Sequence, residues 1–309
     1  MATPTPGESS SRPALVLGGG GAYGVIQAAY MHAAYEHGFR PRVVVGTSVG
    51  SLNGAWLALH PDQPDELLRI WIGLDQMRLV RLNPFRLATR LVRNPMSLTT
   101  NNIVPELTAN HIGDSRFEDT QLEFAVVATN LLRGAKHVFR SGPLAPAILA
   151  STAIPAVFEP VEIDGELFVD GCLTASVDMV TAAAMGATEM LAIDLTAPPG
   201  NSRPRTVYGV LKQSFAILSH ATTDAMESYI AQQLPARVVR PDLSRNSPWR
   251  LDDSAGAVAH NLSLARRDLA GVFDADGHIA LDCALDRHAA AAEKVVSMEQ
   301  FFRVKRRAG

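Results

Sequence analysis

Residues 14–59 read ALVLGGGGAYGVIQAAYMHAAYEHGFRPRVVVGTSVGSLNGAWLAL, and the order of features in this stretch decides the fold. Ala14 to Leu17 form a short apolar run with the character of a buried strand, which ends in Gly18 to Gly21. Val25 to Glu36 follow as a helix, with Gly38 just past its end. Arg42 to Val45 read as a second strand, Gly46 to Gly50 as a turn, and Leu52 to Leu59 as an apolar helix. Strand, turn and helix met twice in succession predict an α/β fold, a parallel-rich central sheet flanked by helices.

Outward from this stretch, further strands are expected at Glu123 to Ala128, His137 to Arg140, Leu167 to Asp170 and Met190 to Asp194. Beyond about Pro198, a Pro/Gly/Ser-rich linker leads into a long helical pattern, Val207 to Gln233. The chain has 309 residues, 47% of them hydrophobic, enough to bury a full core. A formal net charge of -3 gives no global pull toward nucleic acid, so no nucleic-acid partner is expected. The two cysteines, Cys172 and Cys283, lack the paired Cys/His spacing of a zinc site, and neither a metal nor a disulfide scaffold is expected. Met1 to Pro13 are rich in Pro, Ser, Thr and Gly without an apolar core, which reads as a disordered tail and not a signal peptide. No uncharged apolar run reaches the roughly 18 residues of a membrane span. The cytoplasm is therefore the default compartment.

Gly19-Gly20-Gly21-Ala22-Tyr23-Gly24 fits G-x-G-x-x-G, so a dinucleotide-binding loop is one reading. That reading wants an acidic residue about 20 positions on to hold the ribose, and the second strand instead runs into Val45-Gly46-Thr47-Ser48. The other use of backbone amides at a helix N-terminus is to bind negative charge developing on an acyl oxygen. Gly19, Gly20 and Gly21 are the candidates for such an oxyanion hole, with Gly24 supporting the turn.

Gly46-Thr47-Ser48-Val49-Gly50 matches G-x-S-x-G between a strand and a helix, the context that gives this motif meaning. Glycines at Gly46 and Gly50 relieve a sharp turn, so Ser48 can project its hydroxyl as a nucleophile. A serine hydroxyl needs a base within hydrogen-bond reach. None of the histidines after Ser48 lies in a glycine-flanked loop at a strand end. Phe168-Val169-Asp170-Gly171-Cys172 does, with an aspartate where a strand finishes and Gly171 behind it. Asp170 is the better candidate base.

Taken together, these motifs resemble the patatin-like phospholipase family over roughly residues 14 to 195. The loop Gly18 to Gly24 is similar to the family's glycine-rich oxyanion segment, and Gly46 to Gly50 to its nucleophile elbow. Residues Ala150-Ser-Thr-Ala-Ile-Pro-Ala-Val-Phe-Glu-Pro160 and Val169-Asp170-Gly171 are similar to the run leading to the family's aspartate motif. The resemblance implies a Ser48–Asp170 dyad without histidine, an acyl-enzyme intermediate, and no organic cofactor. Two positions depart from the family pattern. Tyr23 stands where Arg or Lys is common, and Cys172 where the aspartate motif has Gly or Ala.

The resemblance implies a lipid acyl ester hydrolase of the phospholipase A or lysophospholipase type, acting on lipid or another acyl ester. A general carboxylesterase or thioesterase, a nucleotide-binding protein using the glycine loop, and a catalytically silent binding module are the competing classes. The stretch 66–98 carries six arginines with Trp71 and Phe85, which makes it a candidate surface for peripheral membrane contact. The expected organisation is a tail at 1–13, a patatin-like catalytic unit at 14–197 and a mostly helical region at 198–309 packing on it.

Overall fold

The structure is a computed structural model that describes residues 11–72, 74, 104–155, 157–197, 203–243 and 255–280. Its centre is an eight-stranded, mostly parallel sheet. β1 (Pro13–Leu17) lies between β2 (Val43–Thr47) and β7 (Glu189–Ile193) and is parallel to both. β8 (Ala236–Val239) continues the sheet parallel to β7, and β3 (Glu123–Asn130) runs parallel to β2 on the other side. Three strands are antiparallel to their neighbours. β4 (Ala135–Phe139) borders β3, while β5 (Val161–Ile163) and β6 (Glu166–Asp170) form a hairpin whose second strand also pairs with β3.

β3 therefore has three partners on two edges. β4 occupies one edge along Val126–Asn130, so β2 and β6 share the other. β2 covers its first half and stops with Thr47 opposite Val127; β6, running the other way, stops with Asp170 opposite Ala128. The two strand ends meet head to head, one residue step apart along β3, about 3.3 Å. Residues distant in the chain are brought together by this shared edge.

Side chains alternate between the two faces of the sheet, as strand geometry requires. Leu15, Leu17, Val44 and Val126 pack with α1 (Gly24–Glu36), α2 (Val49–Leu59), α3 (Pro64–Ile72), α4 (Val104–His111), α5 (Leu144–Ser151) and α8 (Ala255–Leu269). Ala14, Val16, Val43, Val45 and Val127 face α6 (Met179–Ala184) and α7 (Val207–Ile230). Nearly all of α1 is buried, because the sheet, α3 and α8 surround it. The Tyr30 hydroxyl donates to Asp268 at 2.5 Å, and the Arg266 guanidinium donates twice to Glu36, at 2.8 and 2.6 Å, which pins α8 to α1.

The region after residue 198 is helical by its sequence pattern but also supplies β8. Ala236-Arg-Val-Val is too short to show a strand period. Residues 1–10, residues 75–98 of the basic stretch, Cys283 and the basic end at 303–307 lie outside the described residues. Among the described residues, no helix is long and apolar enough to cross a membrane, and no cluster of three His, Cys, Asp or Glu side chains could hold a metal ion.

Candidate active site

β2 ends at Thr47 and α2 begins at Val49, so the chain must change direction within Ser48. It does so at φ 54° and ψ -126°, a conformation that L-residues other than glycine seldom adopt. Three hydrogen bonds hold the backbone there. The Ser48 amide donates to Ser151 Oγ at 2.8 Å, and its carbonyl accepts from the Ser51 amide at 2.8 Å and the Ser51 hydroxyl at 2.6 Å. Ser151 in turn donates to the Val127 carbonyl at 2.6 Å, which anchors the turn to β3. Gly50 has no room for a side chain, since a Cβ would overlap the Leu17 carbonyl and stand 2.8 Å from that of Gly18. Gly46 leaves space for Ser51, whose Cα would lie 2.6 Å from a Cβ.

Across the junction of β2 and β6, the Ser48 hydroxyl donates to Asp170 Oδ2 at 2.7 Å. The other carboxylate oxygen, Oδ1, accepts the Cys172 amide at 2.8 Å. The backbone of Asp170 is fixed as well, its amide donating to the Ala153 carbonyl at 2.9 Å and its carbonyl accepting from the Thr129 hydroxyl at 3.0 Å. Ser48 is 4% exposed and Asp170 3%. Burial pushes the Asp170 carboxyl above the usual aspartate range, and the hydrogen bonds from Ser48 and Cys172 pull it back only in part. No histidine among the described residues touches Ser48 or Asp170. His137, on β4, packs its ring against Phe139 and Phe168 instead.

The glycine loop closes the site from the side of β1. A Cβ on Gly19 would overlap the Cys172 sulfur and stand 2.9 Å from the Ser48 Cβ. Gly20 turns toward Leu195, and Gly21 lines the cavity in front of Ser48. Among the described residues, the amides of Gly19, Gly20 and Gly21 meet no acceptor. The loop's carbonyls, by contrast, are tied down. Gln27 donates to Gly18 O at 3.0 Å, and Asn53 donates to Gly24 O at 3.1 Å and to Gln27 Oε1 at 3.0 Å. Gly24 lies beneath the indole of Trp71, and Gly171 lies against the Val127 carbonyl.

Sequence reasoning missed the side chains that hold this frame, Ser151, Ser51, Gln27 and Asn53. Ser151 stands inside the quoted Ala150–Pro160 run, so a signal was there, but its partner is 103 positions away. Trp71, grouped by its sequence with a candidate lipid-facing surface, is 3% exposed and faces the cavity. The apolar stripe of α3, with Leu67 and Leu68, looks inward. Cys172 is kept as a neutral thiol, because burial and the neighbouring Asp170 charge push it well above the ordinary thiol range. Tyr23 is buried at the start of α1.

The cavity in front of Ser48 has an empty volume of about 490 Å³ including its mouth. Val49, Leu52, Trp71, Leu107, Ile154 and Phe158 give it apolar walls. A buried hydroxyl paired with a carboxylate, a neighbouring glycine loop whose amides meet no acceptor among the described residues, and an apolar recess in front suit attack on an acyl carbonyl.

A model of the patatin-like phospholipase family matches residues 15–183. The chain belongs to this family. Its relatives include an NTE family protein of Mycobacterium tuberculosis, 33% identical over 190 residues, which are 61% of this chain and 50% of that protein. A lysophospholipase nte1 of Aspergillus niger is 30% identical over 195 residues, 63% of this chain and 12% of that protein. The chain thus matches about half the length of the mycobacterial relative and a small part of the fungal one. Among solved structures, VipD from Legionella pneumophila aligns with 84% of this chain and 66% of its own, at 14% identity and a TM-score of 0.45.

Proposed function

We propose that this chain is a lipid acyl ester hydrolase of the phospholipase A or lysophospholipase type, working through a Ser48–Asp170 dyad and an acyl-enzyme intermediate. The observation that carries the reading is the 2.7 Å hydrogen bond from Ser48 Oγ to Asp170 Oδ2, buried at the foot of an apolar cavity. Family membership and relatives named as lysophospholipases support a lipid substrate.

The geometry supports the following sequence. Ser48 Oγ attacks the ester carbonyl as its proton passes to Asp170 Oδ2, the atom it already faces. The oxygen that gains charge is met by the amides around Gly19–Gly21, which need no reorganisation because their loop is fixed by Gln27 and Asn53. The ester C–O bond breaks, the departing alcohol takes the proton from Asp170, and the acyl group stays on Ser48. Water then enters and gives a proton to Asp170 as it attacks the acyl carbon. The fatty acid leaves, the proton returns to Ser48, and the dyad is restored. Burial helps twice: it makes Asp170 a stronger base than a free carboxylate, and it strengthens the amide contacts.

The test is fluorophosphonate labelling together with hydrolysis of nitrophenyl esters and lysophospholipid. Ser48→Ala should abolish both labelling and turnover. Asp170→Asn should lower turnover roughly 10²–10⁴-fold, the range of a lost general base. The dyad is falsified if Ser48→Ala keeps wild-type labelling. Turnover of short esters with none on lipid would place the chain among general carboxylesterases.

A further inference from the structure

A second, largely apolar recess adjoins the first. Leu52, Trp71 and Leu107 line the Ser48 cavity and also the adjoining recess of about 300 Å³ including its mouth. Its other walls include Trp56, Ile70, Leu74, His111 and Ile112. Two adjoining recesses that share three side chains from three different helices read as one channel with a partition across it.

Trp71 is the fixed part of that partition. Its Nε1–H donates to Asn53 Oδ1 at 2.8 Å, and Asn53 also donates to Gly24 O and Gln27. The edge of the indole fills the space above Gly24. A ring held by a buried hydrogen bond and packed against backbone is a wall, not a swinging gate. Leu52 and Leu107 complete it with side chains that make no polar contact.

We propose that Trp71, with Leu52 and Leu107, is the end-stop of the acyl subsite and sets the longest chain the enzyme accepts efficiently, the adjoining recess being unused in the wild type. This rests on the ester-hydrolase reading above. Once the acyl carbon is bonded to Ser48 Oγ, its chain has to run away from Asp170 and the glycine loop. The apolar recess that opens at Ser48 has Trp71 in its wall. Each methylene that enters the recess leaves water, which raises kcat/KM about fourfold, and the gain stops where the wall begins.

The experiment measures kcat/KM over nitrophenyl esters from butyryl to palmitoyl, with a circular dichroism melt on every variant. Wild type should climb and then level off. Leu107→Ala and Trp71→Ala should move the plateau to longer chains and raise the long-to-short ratio about tenfold or more. Adding Ile70→Trp to either variant should refill the opened space and restore the short plateau. Ile70 is only half-buried, so Ile70→Trp alone provides a check in a folded background. Alone it should leave the wild-type profile unchanged. The proposal is overturned if Ser48-dependent hydrolysis persists and the plateau does not move in Leu107→Ala or Trp71→Ala. A fall in long-chain activity for Ile70→Trp alone also overturns it, since the wild type would then already be using the adjoining recess. If wild type hydrolyses no ester through Ser48, the hydrolase reading itself falls, an outcome plainly distinct from an unmoved plateau.

Discussion

The turn from β1 to α1 and the turn from β2 to α2 leave neighbouring parallel strands at the same end of the sheet, with Leu17 paired to Gly46. Both turn from strand to helix over a few residues, and both depend on glycine. The first turn is spread over Gly18 to Gly21 and offers amides, with Gln27 holding the Gly18 carbonyl at its start and Asn53 the Gly24 carbonyl just past its end. The second puts the whole change of direction on one non-glycine residue, Ser48 at φ 54°, and offers a hydroxyl. One turn presents backbone and the other a side chain. In the strained turn the reactive residue itself is held, by Ser51 and by Ser151 across the sheet, whereas the glycine turn is held through carbonyls at its two ends and needs space between them.

The two turns touch at Gly50. At Gly50 a methyl group would press on backbone atoms of Leu17 and Gly18, which no rotamer change can move. Gly50→Ala should therefore separate β1 from α2 and cost on the order of 3 kcal/mol or more, seen as a lowered denaturation midpoint with an unchanged m-value. A wild-type midpoint would show that the two turns are not locked together.

Gly19→Ala aims at chemistry and not at the fold. Its methyl would overlap the Cys172 sulfur and crowd Ser48, which on the proposed mechanism would displace the amides from the ester carbonyl. Turnover should fall about 10²–10³-fold, the scale of one lost oxyanion donor, with little change in melting. Cys172→Gly in the same chain removes the closer of the two clashes and should recover part of the loss. Gly20→Ala meets only the side chain of Leu195 and should do less harm, so equal losses at the two positions would sink the assignment of Gly19 to the reacting side.

Ser151→Ala tests the external support. It leaves the buried Ser48 amide without an acceptor and the Val127 carbonyl without that donor. The expected cost is about 1–3 kcal/mol in stability, with roughly tenfold in kcat as the elbow relaxes. Ser151→Thr keeps the hydroxyl and should restore most of both. Failure of that rescue would mean that the packing of α5, and not the hydrogen bond, is what matters.

These expectations also mark what was legible in the chain. The two turns could be read because each is written in adjacent residues: glycines, a serine, and the apolar runs on either side. Asp170 could be read as a candidate because Asp-Gly closes an apolar strand. Its meeting with Ser48 could not be read from local pattern, since it depends on β3 serving as the common edge for β2 and β6, a pairing across 122 positions for Ser48 and Asp170. Ser151, Gln27 and Asn53 looked like ordinary polar residues because their partners are distant or are backbone atoms. Trp71 shows the reverse limit. An amphipathic stripe fixes which residues share a face, but the tertiary structure decides whether that face looks at solvent or at the core.

The smallest effect concerns Asp170 itself, and its sign separates support of the fold from support of the chemistry. Burial holds its folded-state pKa above the unfolded value. Between those two values the folded chain keeps a proton that the unfolded chain has released. The stability linked to that proton is full below the unfolded pKa and is lost as pH rises through the folded one. Asp170→Asn carries no charge at any pH. It should melt a few degrees above wild type at neutral pH, with the difference closing as the buffer is made acidic. Turnover runs the other way, since proton transfer needs the carboxylate. The acid limb of kcat/KM in wild type should have its midpoint above the ordinary aspartate value and rise as the pH does. A variant that is more stable and less active at neutral pH would show that the buried charge at the end of β6 is kept for reaction and not for folding. A variant that melts lower at neutral pH would mean instead that the ionised pair with Ser48 and Cys172 holds the head-to-head strand ends together.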